Sequence, residues 1–185
     1  NSRKDRPAEI VWAKDGILSH VAVGQSDHFY NLLINGKTDA SVGDFLLTDM
    51  PTQTLLAFIP LVLSPDPQKA LVVGYGSGVT AGTLGKQVPQ VDCLEIEENV
   101  IRASHFFSEF NLNAHENPNV RLHLCDARKF IRNTQTRYDL ISAEPSNLWV
   151  SGVAHLFTRD YFRECRKILN EKGVMIQWIH LYKLS

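Results

Sequence analysis

Leu71-Val-Val-Gly-Tyr-Gly-Ser-Gly-Val79 is the stretch that decides the fold, together with Val91-Asp-Cys-Leu-Glu-Ile-Glu97 further along the chain. An apolar run, a glycine-rich turn and a second apolar run that ends in an acid predict a strand, a loop opening a helix, and another strand. Glycines let the backbone turn sharply and approach a ligand closely. Glu95 stands at the spacing from which a carboxylate reaches ribose hydroxyls. The order of these features predicts a nucleoside-binding site.

The spacing of the glycines indicates which nucleoside. Dinucleotide-binding loops follow G-x-G-x-x-G, whereas Gly74, Gly76 and Gly78 follow G-x-G-x-G, and Gly82 comes too late for the third position. The compact spacing is typical of proteins that hold a sulfonium nucleoside such as S-adenosylmethionine. We therefore predict that class of co-substrate rather than NAD.

Composition excludes several other classes of function. The chain has 185 residues, a net charge of -1 and 44% hydrophobic residues, so a basic face for nucleic acid is not expected. Its three cysteines lack C-x-x-C spacing and its seven histidines lack paired ligand spacing, so we predict no metal. Free thiols in predicted strands favour a reducing, cytoplasmic location. The longest apolar run, 55–63, is too short to cross a bilayer.

The first 48 residues predict a small antiparallel β appendage. Short strand-like runs lie within 9–41, and Asn35-Gly36 is a strong hairpin signal. Asp49 is placed to cap a helix that runs to about Leu63, with Pro51 in its first turn. We predict a boundary here, with the appendage at 1–48 and a Rossmann-like catalytic domain at 49–185.

From Ala70 onward, near-continuous apolar strands alternate with helices, which predicts an α/β fold with a doubly wound parallel sheet. Lys172-Gly173 predicts a turn into the fifth strand. The chain ends soon after that strand, which would leave a sheet edge uncovered. Either the chain is a piece of a longer protein, which we favour, or a partner chain covers that edge. The predicted strands are 70–73, 90–95, 120–124, 138–143 and 174–179, and the predicted helices are 79–86, 98–107, 127–132 and 158–169.

From about Val21 to Leu181 the chain resembles the spermidine and spermine synthase (aminopropyltransferase) family. The resemblance implies a sheet of the S-adenosylmethionine-dependent methyltransferase type and aminopropyl transfer in polyamine biosynthesis. It also implies a homodimer. The wording of several motifs is similar to a bacterial offshoot in which this domain follows a multi-span membrane segment. The motifs that carry the resemblance are Leu33-Ile-Asn-Gly36, Gln53, Gly74 to Gly78, Glu95-Ile96, Asp126-Ala127, Tyr138-Asp139, Glu144-Pro-Ser-Asn147, Leu156-Phe157 and Gly173 to Gln177.

The same resemblance implies a role for each candidate site residue. Glu95 would hold the ribose hydroxyls and Asp126 the adenine amino group, while Glu144 would be the catalytic carboxylate that accepts a proton from the attacking amine. The co-substrate would be decarboxylated or intact S-adenosylmethionine, and the acceptor a small amine. The implied co-substrate-binding residues are Gln53, Gly74, Gly76, Ser77, Gly78, Glu95, Ile96, Asp126 and Ala127, and the implied amine-binding residues are Thr52, Asn147 and Trp149.

Three departures from the family pattern leave alternatives open. Ser77 replaces an aspartate that would repel the carboxylate of intact S-adenosylmethionine, Asn147 replaces an anionic group beside the amine, and Thr52 replaces a tyrosine. An S-adenosylmethionine-dependent methyltransferase is therefore the alternative enzyme. A nucleoside-binding domain without catalysis is the third hypothesis.

Overall fold

The structure is a computed structural model that describes residues 8–27, 29–145 and 152–179. It contains a four-stranded antiparallel sheet followed by a five-stranded parallel sheet flanked by helices. The strands are β1 (Glu9–Asp15), β2 (His20–Gln25), β3 (Phe29–Ile34), β4 (Lys37–Gly43), β5 (Lys69–Val73), β6 (Gln90–Glu95), β7 (Val120–Leu124), β8 (Tyr138–Ala143) and β9 (Leu169–Gln177). The helices are α1 (Met50–Leu63), α2 (Val79–Gly85), α3 (Glu98–Ala103), α4 (Ala127–Asn133) and α5 (Arg159–Ile168), with 3-10 turns at Ser104–Phe107 and Val153–Phe157.

The antiparallel sheet is a meander in which each strand pairs with the next. Asn35 and Gly36 form the two-residue turn between β3 and β4, with φ values of 51° and 77°. Positive φ at both positions belongs to the turn type whose twist matches that of the flanking strands. The hairpin predicted from Asn35-Gly36 is thus confirmed. The buried side of the meander, including Val23 and Leu32, joins the core cluster of the parallel sheet.

Helix α1 begins where the sequence predicts, but Asp49 does not cap it with its side chain. The Asp49 carboxylate accepts a hydrogen bond from the Ser41 hydroxyl at 2.7 Å, and the Asp49 amide donates to that hydroxyl at 2.9 Å. The predicted side-chain cap is therefore wrong. The carboxylate ties the start of α1 to strand β4 instead, because that hydroxyl lies beside it.

The parallel sheet has the order β7-β6-β5-β8-β9, so the chain leaves β5 in one direction and later returns to its other side at β8. The predicted α/β fold of methyltransferase type with an antiparallel N-terminal sheet is confirmed. One detail is wrong: β9 starts at Leu169, and Lys172-Gly173 lies within a register shift opposite Tyr138 and Leu140 rather than before the strand. None of the helices among the described residues combines the length and apolar character needed to cross a membrane.

Candidate active site

A cavity of about 550 Å³ opens at the carboxyl ends of β5, β6 and β8. It lies at the point where the strand order reverses, which is where open α/β sheets bind ligands. Its volume lies in the range of small-molecule sites. The parallel sheet, its loops and the antiparallel sheet all contribute walls. The lining residues used below are Leu18, Ser19, Lys37, Asp39, Gly74, Gly76, Glu95, Ile96, Glu97, Asp126, Ala127, Arg128, Glu144 and Leu156.

Gly74 brings two of these walls together. Its φ is +89°, and a Cβ at this position would stand 2.6 Å from the carbonyl oxygen of Glu144. A side chain here would push β5 and β8 apart at the floor of the cavity. The glycine loop therefore shapes the cavity through the close approach of two backbones, as the sequence predicts for a loop that follows a strand.

The back of the glycine loop is closed by buried polar side chains. The Ser77 hydroxyl donates to the side-chain oxygen of Gln53, and the Gln53 side-chain nitrogen donates to the Ser41 carbonyl at 3.2 Å. Both side chains are buried, with 2% of the surface of each exposed. The described residues that line the cavity do not include Thr52, Gln53, Ser77 or Gly78. Gln53 supports the glycine loop from behind through Ser77. The predicted contacts of these four residues with a ligand stay predictions.

Glu95 ends β6 with its carboxylate fixed by the backbone. It accepts hydrogen bonds from the amides of Tyr75 at 3.0 Å, Ile96 at 2.8 Å and Glu97 at 2.9 Å. Burial raises the pKa of Glu95, these hydrogen bonds lower it, and the charge of Asp39 raises it further, with a net increase. The carboxylate is oriented into the cavity region before any ligand binds.

Asp126 and Ala127 line the neighbouring part of the cavity, after β7. The Asp126 carboxylate caps α4, accepting from the amides of Arg128 at 2.8 Å and Lys129 at 3.2 Å, and it pairs with the Arg128 guanidinium at 3.1 Å. Burial raises the pKa of Asp126, but the hydrogen bonds and the charge of Arg128 outweigh it, so the net pKa lies below the usual range. Asp126 therefore caps α4 and also lines the cavity.

Glu144 follows β8 and is half-buried in the cavity wall. Its carboxyl lies 3.3 Å from the Thr80 hydroxyl, which also lies 2.9 Å from the Gln53 carbonyl oxygen. Burial raises the pKa of Glu144 to about 8, the charges of Asp39 and Asp49 add to the increase, and the hydrogen bond from Thr80 opposes it. Of the other predicted amine-site residues, Asn147 and Trp149 lie outside the described residues.

Sequence reasoning missed the part of the site that the antiparallel sheet supplies. Leu18 and Ser19 come from the β1–β2 turn, and Lys37 and Asp39 come from β4. No local pattern in the sequence indicates that residues of β4 face a distant glycine loop. Only the packing of the two sheets brings them there.

The cavity combines a floor formed by the backbone at Gly74 with two carboxyl groups, those of Glu95 and Glu144, that lie in different environments. Glu95 is held rigidly by amides, whereas Glu144 is poised to exchange a proton near neutral pH. Sites that perform proton transfer use such a difference between neighbouring acids. Among residues 8–27, 29–145 and 152–179, no group of three His, Cys, Asp or Glu side chains could hold a metal ion.

The fold and the position of the cavity define a methyltransferase-like α/β domain with an antiparallel N-terminal sheet. A spermidine synthase crystal structure in complex with the transition-state analogue AdoDATO matches this chain with a TM-score of 0.82 at 20% identity, covering 91% of this chain and 57% of that one. The spermidine synthase from Thermotoga maritima matches with a TM-score of 0.78 at 20% identity, covering 91% and 56%. These likenesses establish the shared fold.

Sequence comparison establishes the family. The spermine/spermidine synthase domain model matches residues 50–180. The polyamine aminopropyltransferase of Nitrosomonas europaea is 29% identical over 174 residues, which are 92% of this chain and 52% of that protein. The chain belongs to the spermine/spermidine synthase family, and it spans about half the length of the curated relatives it matches.

Proposed function

We propose that this chain takes part in aminopropyl transfer from decarboxylated S-adenosylmethionine to a small amine, as in polyamine biosynthesis. The observation that carries the proposal is that Glu95 and Glu144 face one cavity over the Gly74–Gly76 floor, at the strand reversal of the sheet. Relatives named polyamine aminopropyltransferase, and a spermidine synthase bound to AdoDATO, support this class of substrate.

The reaction would be an in-line displacement. The amine nitrogen attacks the propyl carbon next to the sulfonium, so a C–N bond forms while the C–S bond breaks, and the bonding electrons leave with sulfur as neutral methylthioadenosine. The sulfonium leaves without help from an acid. The nitrogen must have lost a proton in order to attack, and the new ammonium carries one more to release. Positioning of the two substrates and one proton acceptor therefore account for most of the catalysis.

Glu144 is the proposed proton acceptor. A carboxyl group of pKa about 8 is a stronger base than an ordinary glutamate, and this brings it closer to the pKa of an alkylammonium. Glu95 is proposed to accept hydrogen bonds from the ribose, and Asp126 from the adenine amino group. The remaining predicted contacts, Gln53, Ser77 and Ile96 among them, belong to the same proposal.

The test is a turnover assay with decarboxylated S-adenosylmethionine and a panel of diamines, using chromatography to identify the nucleoside product. We expect methylthioadenosine from the wild type, and a loss of kcat of at least a hundredfold in Glu144→Gln with nucleoside affinity retained. Glu95→Gln should weaken the affinity instead. Glutamine preserves the size of Glu95 and one acceptor for the surrounding amides, whereas alanine would leave three buried N–H groups without a partner.

Each alternative gives a different result in this assay. S-adenosylhomocysteine formed from intact S-adenosylmethionine would indicate a methyltransferase. Tight nucleoside binding without any product would indicate a non-catalytic nucleoside-binding domain. Equal turnover by Glu144→Gln and wild type would remove Glu144 from the mechanism.

The wider setting expected from the resemblance remains part of the proposal. It comprises bacterial origin, a homodimer, an attached membrane domain, a cytoplasmic location and the division into domains 1–48 and 49–185. Light scattering of the purified chain tests the dimer. Limited proteolysis, read by mass spectrometry, tests whether cleavage falls near residue 48.

A further inference from the structure

Asp39 faces the cavity from the antiparallel sheet. It lies in β4 between Thr38 and Ala40, where the pairing with β3 shifts register, and it lines the cavity together with Lys37. The Ala40 Cβ lies 4.0 Å from the position that a Cβ on Gly76 would occupy. Strand β4 therefore runs directly against the glycine loop, and Asp39 lines the cavity that this loop borders.

The charge of Asp39 acts on both ends of the cavity. Burial is the main cause of the raised pKa of Glu95 and of Glu144, and the negative charge of Asp39 raises each of them further. Asp39, Glu95 and Glu144 line the same cavity, so one carboxylate acts on both groups. A ligand that extends from the proposed ribose site to the proposed reacting amine would lie in the same cavity as this charge.

The glycine loop supplies no such charge. The Ser77 side chain is neutral, buried and hydrogen-bonded to Gln53 behind the loop. The described lining of the cavity is nevertheless rich in acidic side chains, with five carboxyl groups against the two cations Lys37 and Arg128. The five carboxylates belong to Asp39, Glu95, Glu97, Asp126 and Glu144.

We propose that Asp39 is a specificity-determining residue whose carboxylate favours a co-substrate chain ending in a free ammonium and disfavours one that also carries a carboxylate. The inference rests on the proposed function, since it names the group that distinguishes decarboxylated from intact S-adenosylmethionine. Selection would combine attraction of the ammonium with repulsion of the extra carboxylate. The negative charge needed for discrimination would come from β4 instead of the glycine loop.

The experiment is calorimetric titration of the full chain with three ligands: methylthioadenosine, decarboxylated S-adenosylmethionine and intact S-adenosylmethionine. Methylthioadenosine has no ammonium, so it reports on nucleoside recognition alone. We expect Asp39→Asn to weaken binding of the decarboxylated form about tenfold and to narrow its advantage over the intact form, with the affinity for methylthioadenosine changed less than about twofold.

Two further variants bracket this result. Lys37→Met removes the cation on the same face of β4, so it should widen the preference for the decarboxylated form. Asp15→Asn, on an exposed side chain of the same sheet paired with His20, should leave all three affinities unchanged. Circular dichroism spectra of each variant establish that it is folded.

The outcomes separate this inference from the function on which it rests. If wild type and Asp39→Asn bind both sulfonium ligands with the same ratio, Asp39 does not determine specificity, although the proposed function stands. If the wild type binds none of the three ligands, the proposed function fails, and the role of Asp39 fails with it. An equal loss of all three affinities in Asp39→Asn would make the residue structural and would also overturn the proposal.

Discussion

At the scale of single residues, the Thr80 hydroxyl connects Glu144 to the backbone of helix α1. It has a single hydrogen, yet it lies within hydrogen-bond distance of both the Gln53 carbonyl and the Glu144 carboxyl. A hydrogen bond from Thr80 to Glu144 lowers the pKa of Glu144, whereas burial raises it. Because the Gln53 carbonyl competes for the same hydrogen, this hydrogen bond offsets only part of the effect of burial, and the net pKa of Glu144 stays above its ordinary value.

The first prediction concerns the effect of Glu144 on stability. The pKa of Glu144 is about 8 in the folded chain against 4.5 in the unfolded chain, so between these values the folded state binds more protons. The contribution of Glu144 to the free energy of unfolding therefore falls as pH rises from about 4.5 to 8. Gln cannot ionise, so the free energy of unfolding of Glu144→Gln does not carry this loss. The difference in free energy of unfolding between Glu144→Gln and wild type should therefore shift by about 1–2 kcal/mol in favour of the variant from pH 5 to pH 8.5, after allowance for partial exposure.

Urea denaturation of wild type and Glu144→Gln at both pH values measures this gain. Glu116→Gln, on an exposed side chain, is the matched control and should show no pH-dependent difference. Parallel pH profiles for Glu144→Gln and wild type would mean that Glu144 titrates at its ordinary pKa.

At the scale of elements, the β1–β2 hairpin closes one side of the cavity through a contact with the β6–α3 loop. The Ser19 hydroxyl donates to the Glu97 carboxylate at 3.2 Å, and a Cβ on Gly16 would stand 2.3 Å from a Glu97 oxygen. The buried Glu97 also caps α3 by accepting from the Asn99 amide at 3.2 Å. The hairpin is thus positioned by the same loop that follows Glu95.

The second prediction tests this contact. Gly16→Ala should displace the Glu97 carboxylate and move the hairpin from the cavity wall, which we expect to weaken methylthioadenosine binding about three- to tenfold. Ser19→Ala removes the hydrogen bond without adding bulk and should give a smaller loss in the same direction. Lys14→Ala, on an exposed residue of the same hairpin, is the control. Unchanged affinity in both Gly16→Ala and Ser19→Ala would show that the hairpin does not form a wall of the nucleoside site.

The elements differ in how well local sequence predicts them. Strands β6, β7 and β8 have the predicted bounds, because each is a short apolar-rich run flanked by turns. Strand β1 is longer than its apolar run, since most of its side chains are exposed and pairing with β2 decides its length. Strand β9 starts early because its register shifts opposite Tyr138. Where pairing or packing decides the outcome, the local pattern gives no signal.

At the scale of the whole molecule, the parallel sheet carries the cavity at the carboxyl ends of its strands and a buried hydrogen-bond network away from the cavity. Buried Asp92 accepts hydrogen bonds from the Tyr138 hydroxyl at 2.9 Å and the Gln90 side chain at 3.1 Å, and it lies 2.8 Å from the His123 ring. Within the described part of the chain, Asp92, Tyr138 and His123 are absent from the cavity lining. This network links β6, β7 and β8 away from the site.

The third prediction is that a substitution at Asp92 lowers the stability of the fold without changing the nucleoside affinity. Asp92→Asn should lower the free energy of unfolding by about 2 kcal/mol, because charge-assisted buried hydrogen bonds are replaced by weaker ones. Nucleoside affinity should stay within about twofold of wild type. Denaturant titration and calorimetry measure the two quantities. Asp160→Asn, in an exposed ion pair with Arg163, is the control for stability. A large loss of affinity in folded Asp92→Asn would show that the two ends of the sheet are coupled.

Some parts of the candidate site can be predicted from local sequence, whereas others depend on the packing of distant elements. The loop 74–78, Glu95, Asp126 and Glu144 follow strands in sequence, and the fold class indicates that such ends converge. Gly74, Gly76 and the three acids line one cavity, and their roles toward a ligand stay predictions. The contribution of Asp39 depends on how two sheets pack, which the sequence pattern does not encode locally.

The β3–β4 hairpin carries Lys37 and Asp39 on a unit that is closed by its own two-residue turn at Asn35 and Gly36. Mutations that change the charge of this hairpin leave the sequences of the glycine loop and of β6 unchanged. Preference among charged co-substrates can therefore drift during evolution while adenosine recognition stays constant. Grafting the hairpin onto another member of the family would transplant its charge preference and leave the nucleoside half of the site to the host.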